Sequence, residues 1–173
     1  MTFYSPTTQL RYVKHPEIIN ARRSHIATKV FTALCDLKPD LILDIARRQT
    51  CKHDKLFTVL QHPKDGGKLT LVGNIPELIA FDNQMGAIPA QIVTSLSDAE
   101  QLTLALFSAY QAVMGYPPMT YRERLDVIKH LFCRTIHSSD SLWSSPYWQR
   151  LFPDIKTVAD LARHWGCSTK SLY

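Results

Sequence analysis

The chain has 173 residues, 45% of them hydrophobic, with a formal net charge of +5. That content excludes a disordered tail and suits one compact domain with a small helical appendage. No apolar run is long enough to span a bilayer, and the N-terminal MTFYSPTTQLRYVK has no apolar signal core, so a cytoplasmic protein with no membrane partner is expected.

Charge is unevenly placed. Residues 1–55 hold ten Lys/Arg against five Asp/Glu, residues 56–115 two against five, and residues 116–173 eight against five. Both flanks are basic and the middle is acidic, a pattern that suits a protein whose ends meet phosphate. The cysteines Cys35, Cys51, Cys133 and Cys167 contain no C-x-x-C pair and read as reduced thiols. Cys51 with His53 and His62 is the nearest approach to a metal cluster, but it lacks regular ligand spacing, and no metal site is assigned.

In chain order, residues 1–23 read as an irregular basic arm. A helix follows with Ile26, Val30 and Leu34 on one face, and Pro39 ends it. A short helical piece occupies residues 41–48. Residues 57–60 and 69–72 read as two strands joined by the turn HPKDGGK. A brief helix begins near Pro76 and closes at Gly86, and residues 88–93 form another strand. Ser97 with Glu100 makes a capping box for a helix carrying Leu102, Ala105, Leu106, Ala109 and Val113, which ends at Gly115 and the Pro117-Pro118 pair. That pair is the expected domain boundary. It separates an α+β domain of residues 24–116 from an all-helical module of residues 117–173.

The helical module opens with a second capping box, Thr120 with Glu123, and a helix burying Tyr121, Leu125, Ile128 and Phe132. Trp143, Tyr147, Trp148 and Phe152 then need burial, and covering the core of this module is their expected role. Residues 157–173, TVADLARHWGCSTKSLY, read as a helix-turn-helix. Thr157 caps the first helix, Ala162 leaves room for a crossing helix, Gly166 turns at positive φ, and Leu172 anchors the second helix from beneath. Ser168, Thr169, Lys170 and Tyr173 are left facing outward, where hydroxyls and a lysine bond base edges and phosphates in the major groove. The second helix has only about two turns before Tyr173, so the natural polypeptide is expected to continue.

A strand, a short helix after a glycine, the strand IPAQIV, then LSDAEQLTLALFSAYQ and VADLARHWGCS stand in an order that resembles the ParB family of partition proteins. The resemblance covers about residues 57–173, and the NARR segment with Arg22 and Arg23 resembles the family's N-terminal arginine-bearing stretch. It implies a small mixed domain of the ParB/sulfiredoxin type followed by helices that bind double-stranded DNA, and a homodimer working with a partition ATPase or a conjugation protein. The family binds CTP through a glycine followed by glutamate and two arginines. This chain has Gly73, Asn74, Ile75 and Pro76 there, with no cation for a triphosphate. Where the family carries glutamate, asparagine, glutamine and arginine, this chain has Ser108, Ala109, Gln111 and Ala112, and only the glutamine survives. Gly73, Asn74 and Gln111 therefore mark a degenerate nucleotide pocket, and no catalytic residue or resident cofactor is assigned.

Two other functions compete with DNA binding. One is an enzyme on the same scaffold, hydrolysing CTP or ATP with Mg²⁺ or nicking DNA, as a conjugation-inhibition factor does. Its candidate groups are Glu77, Asp82 and Glu100. Sulfiredoxin activity would need a cysteine where Asn74 and Ile75 stand. The other is a protein-interaction module using the Trp143 to Phe152 aromatics.

Overall fold

A computed structural model describes residues 9–14, 22–47, 57–61, 68–73, 87–135 and 139–173. The fold is mixed α+β. Five strands form one sheet: β1 (Gln9–Lys14), β2 (Arg22–Arg23), β3 (Phe57–Gln61), β4 (Leu69–Leu71) and β5 (Ala87–Val93), in the order β1-β5-β3-β4-β2. The helices are α1 (His25–Leu37), α2 (Pro39–Arg47), α3 (Asp98–Met114), α4 (Tyr121–Arg134), α5 (Pro146–Leu151) and α6 (Val158–Trp165). Short 3₁₀ turns lie at Leu142–Ser144 and Thr169–Leu172.

The hairpin expected from the sequence is present, with β3 antiparallel to β4 and Val59 opposite Leu71. β5 runs parallel to β3, setting Phe57 against Ala90, and it is antiparallel to β1. The expectation of an irregular arm over residues 1–23 fails at two places, because Gln9–Lys14 and Arg22–Arg23 are strands. The segment QLRYVK alternates polar and apolar residues over only four positions before Val13 breaks the period, and its pairing with β5 supplies the rest. The expected short helix from Pro76 to Gly86 lies outside the described residues. So do Cys51, His53 and His62.

Local signals explain the helix ends. The Ser24 hydroxyl accepts from the Ala27 N–H (3.4 Å) at the start of α1 and donates to Gln101 Oε1 (2.7 Å), which ties the first turns of α1 and α3 together. α1 stops at Leu37, and Pro39, which has no N–H to donate, takes the first position of α2. Both expected capping boxes form. The Ser97 and Thr120 backbone N–H groups donate to the Glu100 and Glu123 carboxylates at 2.8 and 2.9 Å, and each hydroxyl accepts in return.

α3 is buried almost all round, from Leu102 to Val113, because it is the central helix: α1 packs on it, and so do α4 and α5. One core therefore runs from Ala27 on α1 to Leu172 at the C-terminal turn, passing the Gly115 to Pro118 junction without a gap. An ion pair between Lys38 and Glu123 (3.2 Å) bridges the same junction.

In the helical part, the Ser-rich segment is organised by its aromatics. Trp148 is fully buried, packs edge-on against Phe132 at 5.3 Å and lies 4.5 Å from Phe152. Its indole N–H donates to the Ile155 carbonyl (3.0 Å), so the polar atom of this large side chain is satisfied inside the core. Ser145 is likewise buried and donates to the Phe132 carbonyl (3.0 Å). Trp143, Tyr147 and Phe152 pack against this core half-buried, as expected of side chains that cover it. Cys35, Cys133 and Cys167 are free thiols.

Candidate nucleic-acid interface

The sequence TVADLARHWG folds as its residue types require. Thr157 caps α6, its hydroxyl accepting from the Asp160 N–H (3.1 Å) and donating to the Asp160 carboxylate (2.8 Å). That hydroxyl is the main reason the Asp160 carboxyl is held below its usual range. Leu161, Ala162 and Trp165 are buried.

At the other end Gly166 adopts the left-handed conformation, φ 66° and ψ 33°. Its N–H reaches the Arg163 carbonyl (3.2 Å), and the Cys167 N–H reaches the Ala162 carbonyl (2.9 Å). This pair of bonds is a Schellman motif, which satisfies carbonyls that the end of a helix leaves open and turns the chain sharply.

Two contacts hold α6 in place. The Trp165 indole N–H donates to the Tyr110 hydroxyl (3.0 Å), reaching across to α3, and the Tyr121 ring of α4 stacks on Trp165 at 6.3 Å. Burial pushes the Tyr110 phenol above its ordinary pKa, so it stays protonated as the acceptor of that bond.

After the turn, Leu172 is buried against α4 and α6 while Ser168, Thr169, Lys170 and Tyr173 are exposed, the last by 75%. All four sequence-predicted contact residues are thus exposed. The expected second helix of about two turns is instead a single 3₁₀ turn, Thr169–Leu172. Leu172 is its one apolar anchor, and the tighter i to i+3 bonds of Ser171 to Ser168 and Tyr173 to Lys170 close it. The Ser168 and Ser171 hydroxyls bond each other at 2.9 Å.

Sequence reasoning missed Arg122, which starts α4 and donates from Nη1 to the Tyr173 carbonyl across 51 positions of chain. No spacing rule signals a contact at that separation. Arg22 and Arg23 fall in a different part of the fold, opposite Thr70 and Leu71 at the sheet edge.

The segment expected to mark a degenerate nucleotide pocket is also partly described. Gly73 follows β4, and its N–H and that of Val72 both donate to the Thr58 carbonyl, at 3.2 and 2.9 Å. A Cβ at Gly73 would come within 3.3 Å of the Thr58 side chain and 3.7 Å of Ser108 Oγ. Close approach of the backbone, rather than a positive φ, is therefore what this glycine serves.

Beside it Ala27, Val30, Leu34, Val72, Ala105 and Ser108 line a cavity of about 10 Å³, room for at most about one water. The Ser108 hydroxyl donates to the Leu104 carbonyl (2.9 Å). Gln111 is exposed one turn further along α3, and Asn74 lies outside the described residues. A triphosphate needs cations, and its Mg²⁺ needs carboxylate or amide oxygens. The described walls of this cavity are apolar apart from one hydroxyl.

Of the candidate catalytic carboxylates, Glu100 is engaged in its capping box, where the Ser97 hydroxyl and N–H hold its carboxyl below the usual range. Glu77 and Asp82 lie outside the described residues. Among the described residues no group of three or more His, Cys, Asp or Glu side chains is placed to hold a metal ion, and no helix is long and apolar enough to cross a membrane. No protein-family model matches this chain, and no curated protein does either, so its resemblance to the ParB family stands on the motifs in the sequence alone.

Proposed function

We propose that this is a ParB-like DNA-binding protein of plasmid or mobile-element maintenance, acting in the bacterial cytoplasm without an intact CTP switch. The observation that carries the reading is the end of the chain. A rigidly capped helix and a left-handed glycine present Ser168, Thr169 and Lys170 outward over a single buried leucine. Exposed hydroxyls beside a lysine on a short turn are the groups that bond phosphates and base edges. The basic charge of residues 116–173 adds a sequence-independent attraction to the duplex.

A homodimer follows from how such readers work, since paired half-sites call for paired turns. A partition ATPase or a conjugation protein is the partner that the family resemblance implies. The small apolar cavity beside Gly73 favours a scaffold role for the mixed domain over nucleotide hydrolysis.

The test is equilibrium binding to labelled duplex DNA across a range of salt concentrations. Lys170→Ala should weaken binding and lower the slope of log affinity against log salt by about one. Binding and slope equal to those of the unaltered chain would overturn the assignment of this turn.

A further inference from the structure

We infer that the cavity between α4 and the Ser139–Trp143 segment binds a small zwitterion, a molecule with a free ammonium and a free carboxylate. Its volume is about 480 Å³, within the range of about 300–1,000 Å³ usual for small-molecule sites. The inference stands apart from the DNA-binding reading of the C-terminal turn.

The helix supplies one wall. Asp126, Lys129, His130 and Cys133 recur at helical spacing along α4, and all of them line the cavity. The segment after the helix supplies the rest. The Ser139 N–H donates to the Cys133 carbonyl (3.1 Å), which folds the chain back onto the end of α4. Ser141 and Ser144 each accept at the hydroxyl from the other's N–H (both 3.2 Å), and Leu142 is buried between them in the chain. Trp143 packs edge-on against Trp148 at 6.1 Å, and its carbonyl accepts from the Gln149 amide (2.7 Å). Walls held in this way give up little freedom when a ligand enters.

Charge selects the ligand. Two cations, Lys129 and Arg134, and two carboxylates, Asp126 and Asp140, line the same space, and none of the four is ion-paired among the described residues. Burial pushes the Cys133 thiol up while the charges of Lys129 and Arg134 oppose that shift, so both cations lie near the sulfur. An anion alone would meet the two carboxylates, and a cation alone would meet the two cations. An apolar ligand would cover these charges without replacing their water. A zwitterion satisfies both pairs: its carboxylate takes N–H groups from Lys129 and Arg134, and its ammonium faces Asp126 and Asp140. The half-buried Trp143 ring offers an apolar flank to the remainder of the molecule.

A free amino acid and a short peptide share this chemistry, and the experiment separates them. The full chain is melted with each of the common free amino acids and with a set of Ala-X dipeptides at millimolar concentration. At least one compound should raise the midpoint in proportion to its dose. The set that responds, amino acid or dipeptide, identifies the source. The same compound should slow alkylation of Cys133 by iodoacetamide several-fold, read by peptide mass spectrometry, and leave Cys35 unaffected. Asp126→Asn and Lys129→Gln change exposed side chains, so both variants should melt like the unaltered chain without ligand and bind the compound about tenfold more weakly. Lys129→Arg should keep most of the affinity because it keeps the charge. The inference is overturned if no compound shifts the midpoint or if Asp126→Asn and Lys129→Gln respond in full. It is equally overturned if inorganic phosphate, or the responding compound with its amine acetylated and its carboxylate amidated, protects Cys133 as well.

Discussion

Two glycine turns, at Gly73 after β4 and at Gly166 after α6, divide the molecule by what they leave open. At Gly73 a Cβ would come within 3.3 Å of the Thr58 side chain, beside a cavity too small for more than about one water. At Gly166 nothing lies within 4 Å of where a Cβ would stand, and φ is +66°. The first glycine is required by space and the second by backbone conformation. The ParB-like reading puts nucleotide chemistry at the first turn and DNA at the second. Among the described residues, exposed polar groups flank the second: Ser168, Thr169, Lys170 and Ser171. At Gly73 close packing by itself accounts for the glycine.

Both turns hang on one core, and the largest expected effect tests that. Trp148→Ala should cost about 3–5 kcal/mol, since it empties a fully buried indole site and leaves the Ile155 carbonyl without its donor. Urea unfolding followed by fluorescence and by far-UV circular dichroism should remain one coincident transition. Two separated transitions would mean that the sheet side and the C-terminal helices do not share a core.

A smaller effect separates the glycines themselves. Gly166→Ala should cost about 1–2 kcal/mol from left-handed strain alone, and Gly166→Asn should recover much of that, because asparagine tolerates the conformation. At Gly73 the order reverses. Alanine there should cost about 1 kcal/mol and asparagine more, because the larger side chain meets Thr58 and Ser108. Unfolding midpoints of the four variants settle the contrast, and asparagine performing better than alanine at Gly73 would contradict the close-approach explanation.

The smallest effect is a pH dependence carried by helix caps. Glu100, Glu123 and Asp160 are all held below their ordinary carboxyl range, first by the Ser97 hydroxyl, the Thr120 N–H and the Thr157 hydroxyl respectively. A carboxyl whose pKa is lower in the folded state contributes stability above its unfolded value and loses it as pH falls through the folded one. Stability should therefore drop as pH falls through about 4 and below. The triple variant Ser97→Ala, Thr120→Ala, Thr157→Ala should show a shallower drop in urea midpoint over that window. An unchanged pH profile would remove the caps as its cause.

Much of this fold was legible because its signals are local. The capping boxes at Ser97 and Thr120, the Thr157 cap and the left-handed Gly166 all act within about one helical turn, and the β3–β4 hairpin follows from two apolar runs around a turn. The exposure of Ser168, Thr169, Lys170 and Tyr173 was equally readable, since Leu172 is the apolar residue of that turn and the one that is buried.

Tertiary structure decided the rest. The strand at Gln9–Lys14 is completed by β5, some 80 residues away by the register of Gln9 with Ile92, and four alternating residues by themselves are too short a run to announce it. The second element of the C-terminal motif closes as a 3₁₀ turn rather than two turns of α-helix, with a lone anchor beneath it. The bond from Trp165 to Tyr110 and the reach of Arg122 to Tyr173 join residues 55 and 51 positions apart. Side-chain types and short spacings encode caps and turns because those bonds close within a few residues. Which distant polar atoms meet depends on how α3, α4 and α6 pack, and that is set by the whole core at once.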